Sequence, residues 1–160
     1  MNSKNLDALT ASATIYERLG RLDDALGQLD RALALEPEIP ALRTSRARIL
    51  GMSGRHDEAI KEFAALARDY PDDGTYFQYL GDTYAIKKAY EPAVENLEKA
   101  ARLHPTPTVF RHLAVCYTRM GRISDAVRSL EKFLGNPGDE PAAVIREARS
   151  ELQRLRAASR

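Results

Sequence analysis

The sequence is short of the groups that carry chemistry. It has one cysteine, Cys116, in 160 residues. That excludes an internal disulfide framework and fits a reducing compartment, so a cytoplasmic location is expected. No apolar run is long enough to span a membrane. Met1-Asn2-Ser3-Lys4-Asn5 is not followed by the apolar core of a signal peptide. Lys and Arg number 24 against 23 Asp and Glu, a formal charge of +1. This near-cancellation argues against non-specific nucleic-acid binding and against attachment to an anionic membrane. The histidines are His56, His104 and His112, and none has a metal-ligand partner at helical spacing. No glycine-rich phosphate loop is present. The chain therefore reads as having no catalytic residue, no metal and no cofactor.

What it does have is a repeat. Gly20-Arg21-Leu22-Asp23-Asp24-Ala25 returns 34 residues later as Gly54-Arg55-His56-Asp57-Glu58-Ala59. Lys88-Ala89-Tyr90-Glu91-Pro92-Ala93 follows at the same interval, and Gly121-Arg122-Ile123-Ser124-Asp125-Ala126 comes one residue early. A fixed period of this length in an apolar-periodic, 44% apolar chain signals a stacked repeat array.

Each period predicts two amphipathic helices. In the first, Leu9, Ser12, Ala13, Ile15 and Tyr16 form one buried stripe, and Ala25, Leu26, Leu29, Ala32 and Leu33 the next. Gly20 supplies the left-handed turn between them, Asp23 is expected to cap the second helix, and Pro37 ends it. Asp57 plays the same part in the second repeat. Asp73 and Thr106 read as caps of later first helices, with Pro40 and Pro107 in first turns. Lys88 replaces the turn glycine of the third repeat. A left-handed lysine costs about 1 kcal/mol, so a distorted or more mobile turn is expected there. Gly135-Asn136-Pro137-Gly138-Asp139 reads as a loop. The tail from Pro141 has no partner copy in this reading. Ile145, Ala148, Leu152 and Leu155 make it an amphipathic helix that covers the apolar face of the last repeat. No long linker interrupts the chain. One domain over residues 1–160 is expected, with repeats 6–39, 40–73, 74–106 and 107–140 and a capping helix 141–158.

The copies resemble the tetratricopeptide repeat. The third is fullest, with Phe77, Leu80, Gly81, Tyr84, Tyr90, Ala93, Leu97, Ala100 and Pro105 at that family's motif positions. The first matches at Leu9, Ala13, Tyr16, Gly20, Leu22, Ala25, Leu29, Ala32 and Pro37. The second carries Ala47, Leu50, Gly54, Ala59, Phe63 and Pro71, and the fourth Phe110, Leu113, Ala114, Tyr117, Gly121, Ala126 and Leu130. Small residues at Ala13, Ala47, Gly81 and Ala114, and at Ala25, Ala59, Ala93 and Ala126, allow close helix crossings. The fold class the resemblance implies is all-α, a right-handed solenoid of four helix-turn-helix repeats plus the C-terminal capping helix.

The resemblance further implies a concave groove lined by the first helices, where a partner peptide or helix docks. Its offsets fall on Thr10, Thr14 and Arg18, then Thr44, Arg48 and Met52, then Gln78 and Asp82, then Arg111, Val115 and Arg119. Arg48, Arg111 and Arg119 suit bidentate carboxylate contacts, and Met52, Ile86 and Val115 an apolar floor. The Lys and Asn that chaperone-binding members place in this groove are absent. Thr10 and Thr14, then Thr44 and Arg48, occupy those offsets, so no heat-shock co-chaperone is expected. His56 reads as a packed turn residue, His104 as a polar helix end, His112 as exposed, and Cys116 as a buried structural thiol.

The function expected is a non-enzymatic protein-interaction scaffold that organises a multiprotein complex. The alternative is a regulatory or substrate-recruiting module excised from a larger enzyme or a secretion or assembly protein. Self-association through terminal repeat edges is a third reading. Electrostatic RNA binding through Arg146, Arg149, Arg154, Arg156 and Arg160 is a remote fourth.

Overall fold

The computed structural model describes residues 2–158, with side chains over 5–158. Met1 and, from the terminal arginine set, Arg160 lie outside the described residues. Among those described, the chain is nine α-helices with no strand: α1 Asn2–Arg18, α2 Leu22–Leu35, α3 Pro40–Met52, α4 His56–Asp69, α5 Gly74–Ile86, α6 Tyr90–Leu103, α7 Pro107–Arg119, α8 Ile123–Gly135 and α9 Ala142–Ala158. Contacts gather them into two compact units, one ending at Tyr70 and one beginning at Pro71, each with its own core.

In the first unit α1 pairs with α2 and α3 with α4, and α2 packs on α3. In the second, α5 pairs with α6, α7 with α8, α6 packs on α7, and α8 on α9. Small residues set these crossings. Ala25, Ala59, Ala93 and Ala126 are fully buried, as is Ala47. At Gly81 the approach is closer still. A Cβ there would lie 2.7 Å from Leu97 Cγ and 3.0 Å from the Ala93 carbonyl oxygen. Leucines and phenylalanines fill the remaining space, with Leu50, Leu66, Leu97 and Phe133 fully buried.

Every hairpin turns in the same way. Gly20, Gly54, Lys88 and Gly121 take φ of 71°, 80°, 61° and 72°. The next amide donates back five residues, from Arg21 to Tyr16, Arg55 to Leu50, Ala89 to Tyr84 and Arg122 to Tyr117, at 2.9–3.0 Å. This is the paired-bond C-terminal motif of an α-helix. Lys88 therefore keeps the full hydrogen-bonded geometry, and the distorted turn expected there does not occur. The lysine bears the cost of the left-handed region, about 1 kcal/mol, within an unchanged turn.

The same bond corrects two expected caps. The residue that closes the turn is already the N-cap of the following helix, so α2 and α4 start before Asp23 and Asp57 can reach an unbonded amide. Arg21 and Arg55 hold the cap positions without a side-chain cap bond. They pair instead with the acid three residues on, Arg21 with Asp24 and Arg55 with Glu58, each at 2.7 Å. Asp73 and Thr106 do cap, accepting from Thr75 N at 2.9 Å and Val109 N at 3.3 Å. Gly135 belongs to the last turn of α8 rather than to the following loop. Ile15, placed in the buried stripe of α1, is 58% exposed. Its counterparts Ile49 and Cys116 are buried, on helices against which a preceding second helix packs.

Candidate functional site

Within the first unit, the predicted first-helix residues line up on α1 and α3. Thr10 and Thr44 are half-buried and donate back into their own helices, to Leu6 O at 2.9 Å and Pro40 O at 2.8 Å. Thr14 is exposed and donates to Thr10 O at 3.0 Å. These hydroxyls keep acceptor capacity for a ligand, but their protons are spent on the helix. Arg48 reaches across from α3 to α1 and donates to Glu17 Oε1 at 2.6 Å. That contact brings the two predicted faces together and partly neutralises the arginine. Arg18 is exposed at the end of α1, and Met52 is 56% exposed at the matching position of α3.

Within the second unit, the faces of α5 and α7 meet through Asp82 and His112, whose Oδ1 and Nδ1 are 2.6 Å apart. His112 is therefore half-buried and partnered, not exposed as its position suggested, because α5 presents a carboxylate to it. Gln78 is half-buried on α5, and Ile86 is 63% exposed at its end.

A cleft of about 550 Å³ lies between α7 and α9 of this unit. Arg111, Val115 and Arg119 line it from α7, and Val144, Glu147, Ala148 and Glu151 from α9. Val115 is 50% exposed. Arg111 Nε lies 3.8 Å from Glu140 Oε1, beyond hydrogen-bond range, and is buried without a partner. Arg154 is occupied by Glu151, with bonds of 2.8 and 2.5 Å.

The α9 wall was missed by sequence reasoning, which treated the tail as a cap without a partner copy. The signal was present. Pro141 and Ala148 continue the offsets of Pro107 and Ala114 by 34 residues, so α9 is placed like the first helix of a further repeat. Its stripe of Ala148 and Leu155 is buried and Ile145 and Leu152 are half-buried, while the adjoining positions Val144 and Glu147 are turned to the cleft.

No group of three or more metal-ligating side chains occurs among the described residues, and none of their helices is long and apolar enough to cross a membrane. Cys116 is fully buried, and its thiol is pushed up to about 11, chiefly by burial and secondarily by the Asp82 charge. A thiol in that state is a poor nucleophile.

A tetratricopeptide-repeat model matches twice, over residues 10–74 and 46–106, together more than half of the sequence. The chain belongs to the tetratricopeptide repeat family. Among curated relatives, it is 29% identical over 143 residues to the TPR repeat-containing thioredoxin TTL4 of Arabidopsis thaliana, which covers 84% of this chain and 21% of that protein. The chain thus spans about a fifth of that relative's length. Among solved structures, a tetratricopeptide repeat protein from Parabacteroides merdae superimposes with a TM-score of 0.81 at 17% identity, covering 98% of this chain and 62% of that one. PcrH, solved in complex with the chaperone binding region of PopD, gives a TM-score of 0.65 at 24% identity over 71% of this chain and 88% of that one. These likenesses establish an all-α array of helical hairpins.

Proposed function

We propose that this tetratricopeptide array is a non-enzymatic protein-interaction module that holds a partner's peptide or helix on its first-helix faces. The observation that carries this reading is where apolar surface is left uncovered. Among the described residues, five of the six large apolar side chains that stand exposed, Ile15, Leu19, Met52, Ile86 and Val115, lie on first helices or at their ends, and the sixth, Tyr70, follows the second helix α4. Met52 and Ile86 share one repeat position, at 56% and 63% exposure. Recurrence at one offset is what a docking face produces and what scattered surface residues do not. The threonines, Gln78 and the arginines of the same faces supply the hydrogen bonds and charge that fix a partner's register. The likeness to PcrH, a protein solved with a bound partner segment, supports the same reading. The share of its relatives that the chain covers favours a second reading beside it, in which the same faces recruit a partner or substrate for a longer protein.

Affinity capture from host lysate tests the proposal. The wild type is compared with Met52→Glu/Ile86→Glu/Val115→Glu and with Arg102→Glu, an exposed second-helix control. All three are first shown to be equally helical. A partner held by the wild type and the control and lost by the triple variant supports the reading. A partner held equally by all three places binding on another surface.

A further inference from the structure

The α7–α9 cleft carries more specific information than the first-helix faces as a whole. Arg111, Val115 and Arg119 are spaced four residues apart and all three line it. At 1.5 Å per residue the two arginines stand roughly 12 Å apart along α7, with the valine midway. Several exposed arginines among the described residues are already partnered. Arg21, Arg48, Arg55 and Arg122 each meet a carboxylate at 2.6–2.7 Å. Arg119 meets none among the described residues, and Arg111 has only the 3.8 Å approach of Glu140. On the facing wall, Arg154 is closed off by Glu151, and Val144 and Ala148 continue the apolar floor.

We infer that this cleft binds a short extended segment in which two carboxylates flank one apolar side chain, in the order acidic, any, apolar, any, acidic. The inference rests on the partner-binding role proposed above and supplies the chemistry of one partner site. An extended chain advances about 3.3 Å per residue and turns residues i, i+2 and i+4 to one side. Carboxylates at i and i+4 are then about 13 Å apart, which matches the spacing of Arg111 and Arg119. The apolar side chain at i+2 falls on Val115, with Ala148 opposite. A helix rises only about 1.5 Å per residue, so it reaches the same separation only between i and i+8 and calls for a different spacing of acids. Glu147, also on the cleft, works against a continuous acidic run and accepts a backbone N–H of the bound segment.

The test titrates the peptide Ser-Gly-Asp-Ala-Leu-Ala-Asp-Gly-Ser into the full chain, followed by methyl NMR of Val115 and Val144 and by calorimetry. Saturable shifts at both methyls are expected. Affinity should fall about tenfold with Arg119→Glu, about tenfold when both peptide aspartates become asparagine, and about fivefold when its leucine becomes serine. Arg119 is exposed, so its variant should keep the wild-type circular dichroism. Unmoved methyls at about 1 mM peptide, or equal affinity for the asparagine peptide, would overturn the inference. So would tighter binding of a stapled helical peptide with carboxylates at i and i+8. A partner captured through Met52 and Ile86 while the peptide leaves Val115 and Val144 unmoved would refute this site and leave the proposed function standing. Peptide binding at the cleft without capture through the other positions would do the reverse.

Discussion

The two units solve the same packing problem with different chemistry. At two offsets of the first helix, the second unit places Phe77 and Leu80, then Phe110 and Leu113, and Phe77, Leu80 and Leu113 are buried. The first unit places Arg43 and Arg46 at those offsets in its second repeat. Their guanidiniums join three carboxylates from two helices. Arg46 bonds Asp30 and Glu62, both at 2.6 Å, and Arg43 bonds Asp69 at 2.9 Å. The alanine crossings are the same in both units, with Ala47 and Ala59 as fully buried as Ala93 and Ala126. Close backbone approach is therefore the fixed requirement of the repeat. What fills the flank of the crossing is free to be apolar or ionic, provided that the charges are paired.

The sharpest way to break this comparison is to empty both positions. Leu80→Ala should cost about 2–5 kcal/mol in the second unit, because it leaves a cavity in a packed core. Arg46→Ala should cost only about 1 kcal/mol in the first, since its pairs are partly solvated and screened. Chemical denaturation of each variant, with amide exchange read separately on α3–α4 and α5–α8, checks both. Equal losses would mean that the ion network is as structural as the leucine.

A smaller effect should come from replacing the network with the other unit's chemistry. Arg46→Leu is expected to lie within about 1 kcal/mol of wild type, because a buried hydrophobe of similar reach offsets the lost pairs. It should also reduce the salt dependence of exchange in α3 and α4, and an unchanged salt response would assign that dependence elsewhere.

The smallest effect is a difference in the pH limits of the two units. In the first, Asp69 is held below the usual carboxylate range by Arg43 and then Arg68, and Glu58 by Arg55. A lowered carboxylate contributes stability above its unfolded pKa and loses it as pH falls through the folded value, so this unit should loosen below about pH 4. In the second, burial raises Cys116 from 9.0 to about 11. Tyr117 is also raised, by burial first and then by its 2.5 Å bond to Glu98. A raised thiol or phenol contributes below its unfolded pKa and is lost as pH climbs through the folded one, so this unit should loosen above about pH 9. Glu151, lowered by Arg154, gives the second unit a weaker acid limb as well. A pH series of helix-resolved amide exchange measures both limbs. Cys116→Ala with Tyr117→Phe should flatten the alkaline one, and an unaltered limb would place its cause in other groups.

The fold was legible because the residues that fix it are small and periodic. Alanine and Gly81 recur where helices cross closely, glycine where the turn takes positive φ, and proline near helix ends, and their offsets give every hairpin. Lys88 shows that the hydrogen-bond pattern, not the glycine, defines the turn. The expected caps at Asp23 and Asp57 failed because a five-residue back-bond cannot be seen in composition. Ile15 was placed in the core because its offset is buried elsewhere, at Ile49, Thr83 and Cys116, yet on α1 it stands exposed. At the candidate site, Arg111, Val115 and Arg119 could be read from the repeat register. The state of each arginine could not, since pairing depends on neighbours such as Glu140 and Glu17 that lie 29 or more residues away in sequence. The α9 wall was hidden by its amphipathicity, which by itself describes a cover and a binding wall equally well.

Cys116, the sole thiol of the chain, is sealed inside the second unit. It can react with a neutral alkylating reagent only when α7 lifts from its neighbours. The labelling rate is therefore a clock for that opening, read in the native protein without denaturant and without signal from the first unit. A ligand that bridges α7 and α9 must slow the clock, while one seated on α1 and α3 must leave it running at its original rate.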